Sequence, residues 1–100
     1  MEEVLSVVQP DEAWFWATHQ GAEIDLILKK DGHTLGIECK RTDAPRMTPS
    51  MRSALEDLQL DKIVIVYPGD KRFALHNRVE AIPLKDLTGV TSSIENLLAR

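Results

Sequence analysis

From Glu23 to Lys40 apolar and polar side chains alternate along two runs that flank Asp31-Gly32. A period of two belongs to a half-buried β-strand, and Asp-Gly between two such runs is the strongest short-range hairpin signal. The pattern predicts strands over 23–30 and 33–40 joined by a two-residue loop. Paired residues then have numbers that add to 63, beginning with Lys30 and His33. Ile24, Leu26 and Leu28 in the first strand, and Leu35, Ile37 and Cys39 in the second, are expected to face the core. By the same register Asp25 lies opposite Glu38 and Glu23 opposite Lys40, all four on the face away from that apolar set.

The rest of the chain reads more coarsely. Residues 1–8 pattern as a short helix with Val4, Leu5 and Val8 on one face, ended by Pro10-Asp11. Residues 13–17 are aromatic and strand-like, and Gly21 punctuates the chain before the hairpin. Thr48 is placed to cap a helix that has Pro49 at its first position and runs to about Leu60, with Met51, Ala54, Leu55 and Leu58 at helical spacing. Residues 62–67 are nearly continuous and β-branched, as in a strand covered on both faces. Short strands follow at 72–75 and 79–82. Ser92-Ser93-Ile94-Glu95 opens a last helix with a capping box. The order predicts one α/β domain over residues 1–100, with a mixed central sheet and a first helix cut short.

Composition narrows the class. A chain of 100 residues, 43% hydrophobic, supports one modest core. The single cysteine, Cys39, excludes an internal disulfide and sits in an apolar strand pattern, which predicts a reduced, buried thiol. No apolar run approaches the ~20 residues that span a bilayer, and Met1-Glu2-Glu3 is acidic where a signal peptide is basic. A cytoplasmic protein without a membrane partner is expected. The net charge of −4 is uneven: residues 1–38 hold eight acidic and two basic side chains, the remainder eight acidic and ten basic. Lys40, Arg41, Arg46 and Arg52 therefore form a basic stretch just beyond an acidic one.

Opposed carboxylates change the picture further. Side chains directly across a strand pair have Cβ atoms ~5 Å apart, and like charges there destabilise the sheet. A divalent cation removes the conflict, because Mg²⁺ is held by one or two carboxylates plus water and substrate phosphate. Asp25 and Glu38 supply the carboxylates, and the peptide carbonyl of Cys39, between Glu38 and Lys40, is a further ligand. Lys40 brings a cation to orient an attacking water or to stabilise charge developing on a phosphate. Mg²⁺ or Mn²⁺ at Asp25, Glu38 and Cys39, with Lys40 beside it, is a constellation for phosphodiester hydrolysis.

At these residues the sequence resembles the PD-(D/E)XK nuclease superfamily: Asp25, twelve intervening residues, then Glu38-Cys39-Lys40 at a strand end, with a helix and a strand after it. Gly21-Ala22-Glu23-Ile24-Asp25-Leu26, Gly36-Ile37-Glu38-Cys39-Lys40, Thr48-Pro49-Ser50-Met51 and Tyr67-Pro68-Gly69-Asp70 are similar to a domain found C-terminal to AAA-type ATPase modules in many prokaryotic proteins. The resemblance runs from about Glu2 to Leu84. It implies a restriction-endonuclease-like core, with a four-stranded mixed sheet flanked by helices, and Mg²⁺-dependent cleavage of nucleic acid with Asp25, Glu38 and Lys40 as catalytic residues. Ile24 stands where the superfamily motif has proline. Glu2, Glu3 and Glu12 are the only residues able to supply the glutamate that many members carry on the first helix.

Other residues are open to two readings. Glu23 is either part of a solvated strand face or an accessory to the site, and His19 either a surface turn residue or an accessory. Trp14 and Trp16 pack against the sheet or stack on bases. Arg41, Arg46 and Arg52 are expected at nucleic-acid phosphates, although solvated arginines after a strand are ordinary. Two functions compete: a metal-dependent nuclease domain acting on DNA, and a non-catalytic nucleic-acid-binding or partner-docking module of an AAA-type ATPase. The two-turn first helix is too short to hold by itself, which predicts an upstream segment or a second copy, a homodimer, against it.

Overall fold

The computed structural model describes residues 12–30 and 32–87. The helices expected at the two ends of the chain, and Asp31, lie outside the described residues. Six strands form one mixed sheet: β1 (Glu12–Ala17), β2 (Glu23–Lys30), β3 (His33–Cys39), β4 (Lys62–Tyr67), β5 (Phe73–His76) and β6 (Val79–Pro83). Their spatial order is β1-β2-β3-β4-β6-β5. β3, β4 and β6 are mutually parallel and the other neighbours antiparallel. The sheet is thus wider than the four strands the resemblance implies, with β1 and β5 as its edges. One α-helix is present among the described residues, α1 (Pro49–Asp57), on the crossover from β3 to β4.

The hairpin forms in the expected register. Lys30 pairs with His33, Leu28 with Leu35 and Leu26 with Ile37. Gly32 has φ +82°, a left-handed value that the tight turn demands and that glycine adopts without cost. Thr48 caps α1 as expected: it is extended at φ −122°, and the Met51 N–H donates to its Oγ1 at 3.2 Å. The helix ends three residues before the expected Leu60, because Gln59 turns left-handed at φ +51°. That reversal brings Leu60 back into the core, where it is 1% exposed.

Helix α1 packs on β2 and β4. Ile24, Ile27, Ile63 and Ile65 of the sheet meet Met51, Ala54 and Leu55 of the helix. The opposite face is also apolar and buried, with Leu26, Leu28, Leu35, Ile37, Val64, Val66 and Ile82. All six residues of β4 are buried, as a strand covered on both faces requires.

Ile24 departs from expectation, since it belongs with Ile27 on the helix side and not with Leu26 and Leu28. The cause is an irregularity between β1 and β2. Trp14 pairs with Ile27 but Trp16 with Ile24, so Asp25 and Leu26 together face Phe15. The extra residue shifts the side-chain alternation by one position. Cys39 departs too. It is exposed at the end of β3, past Ile37, where the ladder with β2 stops. Trp16 packs against the core, whereas Trp14 is 37% exposed with Lys29 Nζ 5.9 Å from its ring centre.

Gly36 sits where helix and sheet close on each other. A Cβ there would lie 3.1 Å from Leu60 Cδ1, 3.2 Å from Ile63 Cγ1 and 3.4 Å from Ile24 Cγ2. Gly36→Val should therefore overpack this layer and cost about 1–3 kcal/mol of stability, read from urea denaturation. A change below ~0.5 kcal/mol would show that the layer yields freely.

Candidate functional site

The hairpin ladder runs inward as far as Leu26 and Ile37, and at the next step the two strands fork. The bulge at Asp25 and Leu26 releases β2 from regular pairing at that point. The Asp25 N–H then donates to Glu38 Oε1 at 2.6 Å, and the Cys39 N–H donates to Asp25 Oδ2 at 3.0 Å. Each carboxylate takes the place of a ladder carbonyl on the opposing strand. The pair is crossed, and each side chain fixes the backbone that carries or adjoins the other.

Lys40 completes the fork. Its N–H donates to the Val66 carbonyl at 2.9 Å, so it stays with β4 while β2 diverges. In a planar trans peptide the carbonyl points opposite to the following N–H. The Cys39 carbonyl is accordingly directed away from β4, toward the fork. The Lys40 Nζ lies 3.3 Å from Glu38 Oε2. The expected Glu23–Lys40 partnership is replaced: the Lys40 ammonium rests on Glu38, and Glu23 pairs in the sheet with Ala17 while its N–H donates to Ser50 Oγ at 3.3 Å.

The two carboxylates differ in surroundings. Asp25 is exposed, whereas Glu38 is only 7% exposed. Burial raises the pKa of Glu38 above its ordinary 4.5, and the nearby charge of Asp25 adds to the rise. The Asp25 N–H and the Lys40 ammonium oppose it without cancelling it. Glu38 thus carries charge that its surroundings compensate incompletely, and a further cation would stabilise it.

The donor set fits a hard divalent ion. It offers carboxylate oxygens and a main-chain carbonyl directed at the same gap, with an exposed Asp25 that leaves room for water. Asp25 and Glu38 would hold the ion, with Cys39 as a backbone ligand. Among the described residues no group of three or more His, Cys, Asp or Glu side chains converges, so an all-side-chain cage is not formed.

The remaining expected residues are dispersed. His19 is exposed in the turn between β1 and β2, where Thr18 and Gly21 close a backbone hydrogen bond of 3.1 Å. Arg41 lines a hollow beside Cys39 and Lys40. Arg46 is exposed on the loop before α1. Arg52, on α1, lines a separate hollow of about 110 Å³ with Glu56, His76 and Arg78. Arg41 and Arg52 thus line different hollows.

Two features escaped the sequence reading. One is the hollow beside Arg41, of about 290 Å³. The other is a buried ion cluster: Glu80 Oε1 is 2.5 Å from Lys62 Nζ, and Glu80 Oε2 is 2.8 Å from Arg72 Nε. The signal for it was a single charge set into each of two otherwise apolar strands, Lys62 in β4 and Glu80 in β6. Hydrogen bonds between β4, β6 and the residue just before β5 make the pairing, and spacing along the chain does not reveal them.

Comparison with known proteins adds kinship. Two curated proteins, Mb2031c of Mycobacterium bovis and Rv2008c of Mycobacterium tuberculosis, both described as uncharacterised, are each 42% identical to this chain over 99 residues. The match covers 99% of the chain and 22% of each relative, so the chain spans less than a quarter of their length. No solved structure matches. Residues 1–87 match the family described as a domain of unknown function, DUF4143, and the chain belongs to that family.

Proposed function

We propose that the domain is a restriction-endonuclease-like, divalent-metal-dependent nuclease domain of the cytoplasm that hydrolyses phosphodiester bonds in DNA. The observation that carries this reading is the fork between β2 and β3, where Asp25 and Glu38 are cross-bonded and the Lys40 ammonium lies 3.3 Å from Glu38. Asp25, Glu38 and the Cys39 carbonyl bind Mg²⁺ or Mn²⁺. The bound ion supplies Lewis acidity toward a phosphate oxygen and lowers the pKa of its water. Asp25, exposed, faces the incoming strand and orients water. Glu38 is held in place by the Asp25 N–H. Lys40 places positive charge where a phosphate gains negative charge. Arg41 neutralises a neighbouring phosphate.

Manganese titration and nicking of single-stranded and closed duplex DNA circles test the proposal on the wild-type chain and on Asp25→Asn. The wild type should bind Mn²⁺ weakly, since most coordination positions go to water, and nick DNA in its presence. Asp25→Asn should lose both while keeping its circular dichroism spectrum, because Asn still accepts from the Cys39 N–H. Cleavage that persists in Asp25→Asn would mark a contaminating nuclease.

The second reading is a non-catalytic nucleic-acid-binding or docking module beside an AAA-type ATPase. The placement of Arg41 and Arg52 at different hollows favours it. A well-folded wild type with neither Mn²⁺ binding nor cleavage would establish it over the first.

A further inference from the structure

The three parallel strands β3, β4 and β6 all end on one side of the sheet, and open sheets bind ligands outside the carboxyl ends of such strands. The 290 Å³ hollow lies there. Cys39, Lys40 and Arg41 line it from the end of β3, Val66 and Tyr67 from β4, and Leu84 from just beyond β6. Its volume is near the lower end of the ~300–1,000 Å³ typical of small-molecule sites, which suits one nucleotide-sized group and not a double helix.

Its chemistry is divided. Lys40 and Arg41 are the charged residues of its lining, which contains no carboxylate, and the remainder is mainly carbon. Leu84 is 44% exposed and is one of three large apolar side chains left open to solvent among the described residues. The hollow also adjoins the fork: the Cys39 N–H is bonded to Asp25, and the Lys40 ammonium lies beside Glu38. A phosphate that meets the Lys40 ammonium would therefore be next to Glu38.

We infer that this hollow takes one unpaired nucleobase of single-stranded DNA, with its phosphate on Lys40 and Arg41, so that the strand and not the duplex is the substrate. The inference rests on the nuclease reading and narrows it to a substrate class. In a duplex every base is stacked inside and the backbone presents only charge and sugar, which would leave Leu84 and Val66 against polar groups. An unpaired base offers a flat apolar face to those carbons while its phosphate meets the two cations, and such contacts tolerate any sequence.

The test measures anisotropy of a labelled 12-mer of thymidine, alone and annealed to its complement, with the full chain in EDTA. Wild type and Leu84→Ser are compared. The single strand should bind at least about tenfold more tightly than the duplex, and Leu84→Ser should remove that preference, the size of effect expected for one lost base contact. Nicking of a single-stranded circle and of a closed duplex circle in Mn²⁺ then separates the two readings. Duplex bound as tightly as single strand, or a preference that Leu84→Ser leaves intact, overturns the inference. Equal cleavage of both circles by both proteins overturns it while the nuclease reading stands. A strand preference that follows Leu84 without any cleavage in Mn²⁺ overturns the nuclease reading instead.

Discussion

Lys40→Ala should abolish DNA cleavage while leaving Mn²⁺ binding intact or slightly tighter. The Lys40 ammonium is 3.3 Å from Glu38 Oε2 and therefore competes with a divalent ion for the same carboxylate. Removing it frees that oxygen and does not subtract a ligand. The rate should still fall by about 10²–10³, the usual effect of deleting one preorganised group aimed at developing charge. Stability should change by less than about 1 kcal/mol, because Lys40 is 37% exposed and pairs of that kind contribute little. The diagnostic result is a split between two measurements on one protein, a manganese titration and a nicking assay. A parallel loss of both would make Lys40 a support for the carboxylates only. Cleavage within a factor of about three of wild type would remove it from the chemistry.

The largest effect on stability is expected at Glu80, two strands across the sheet from the fork. Its carboxylate is 6% exposed and accepts from both Lys62, itself 5% exposed, and Arg72. Glu80→Leu removes the anion that two buried or half-buried cations share, and such one-sided losses cost about 3–5 kcal/mol. Lys62→Met combined with Glu80→Leu should recover most of that loss, since an apolar replacement of a whole buried pair is close to neutral. Acid pH gives a second signature. Burial pushes the Glu80 carboxyl up, but the hydrogen bonds and charges of Arg72 and Lys62 outweigh it and hold its pKa below 4.5. A depressed folded-state pKa means that the stabilisation is full above the unfolded value of 4.5 and is lost as pH falls through the folded pKa. Urea denaturation between pH 7 and pH 3 should therefore show a steeper acid limb for wild type than for the double variant. Equal limbs, or a Glu80→Leu protein within 1 kcal/mol of wild type, would show that the cluster does not support the fold.

Some features were determined by the sequence itself, and they share a physical character. The Asp31-Gly32 loop sets the hairpin register because a two-residue turn leaves no slack, and one slipped residue would turn the whole apolar set to the wrong face. Thr48 and Pro49 start α1 because a cap acts within three residues of itself. Lys62–Tyr67 is a central strand because its β-branched run tolerates no exposed face. That Asp25 and Glu38 meet was legible for the same reason, as positions counted outward from a turn, whereas Lys40 rests on Glu38 and not on the Glu23 that the count set opposite it.

Tertiary structure decided the rest. Whether Ile24 joins Ile27 or Leu26 depends on the bulge, and the bulge arises only where β1 meets β2. That bulge also frees the Asp25 N–H for Glu38, so two carboxylates that repel on paper are each bonded to a backbone donor in the fold. Cys39 looked buried because its run alternates correctly, yet it lies past the point where β2 stops pairing with β3 and is exposed. The cluster joins Glu80 to Lys62 and Arg72, 18 and 8 positions away, and the hollow joins Arg41 to Leu84. Periodicity, turns and caps are short-range and can be read along one strand, whereas a bulge, a fork or a shared ion exists only where separate strands are brought side by side.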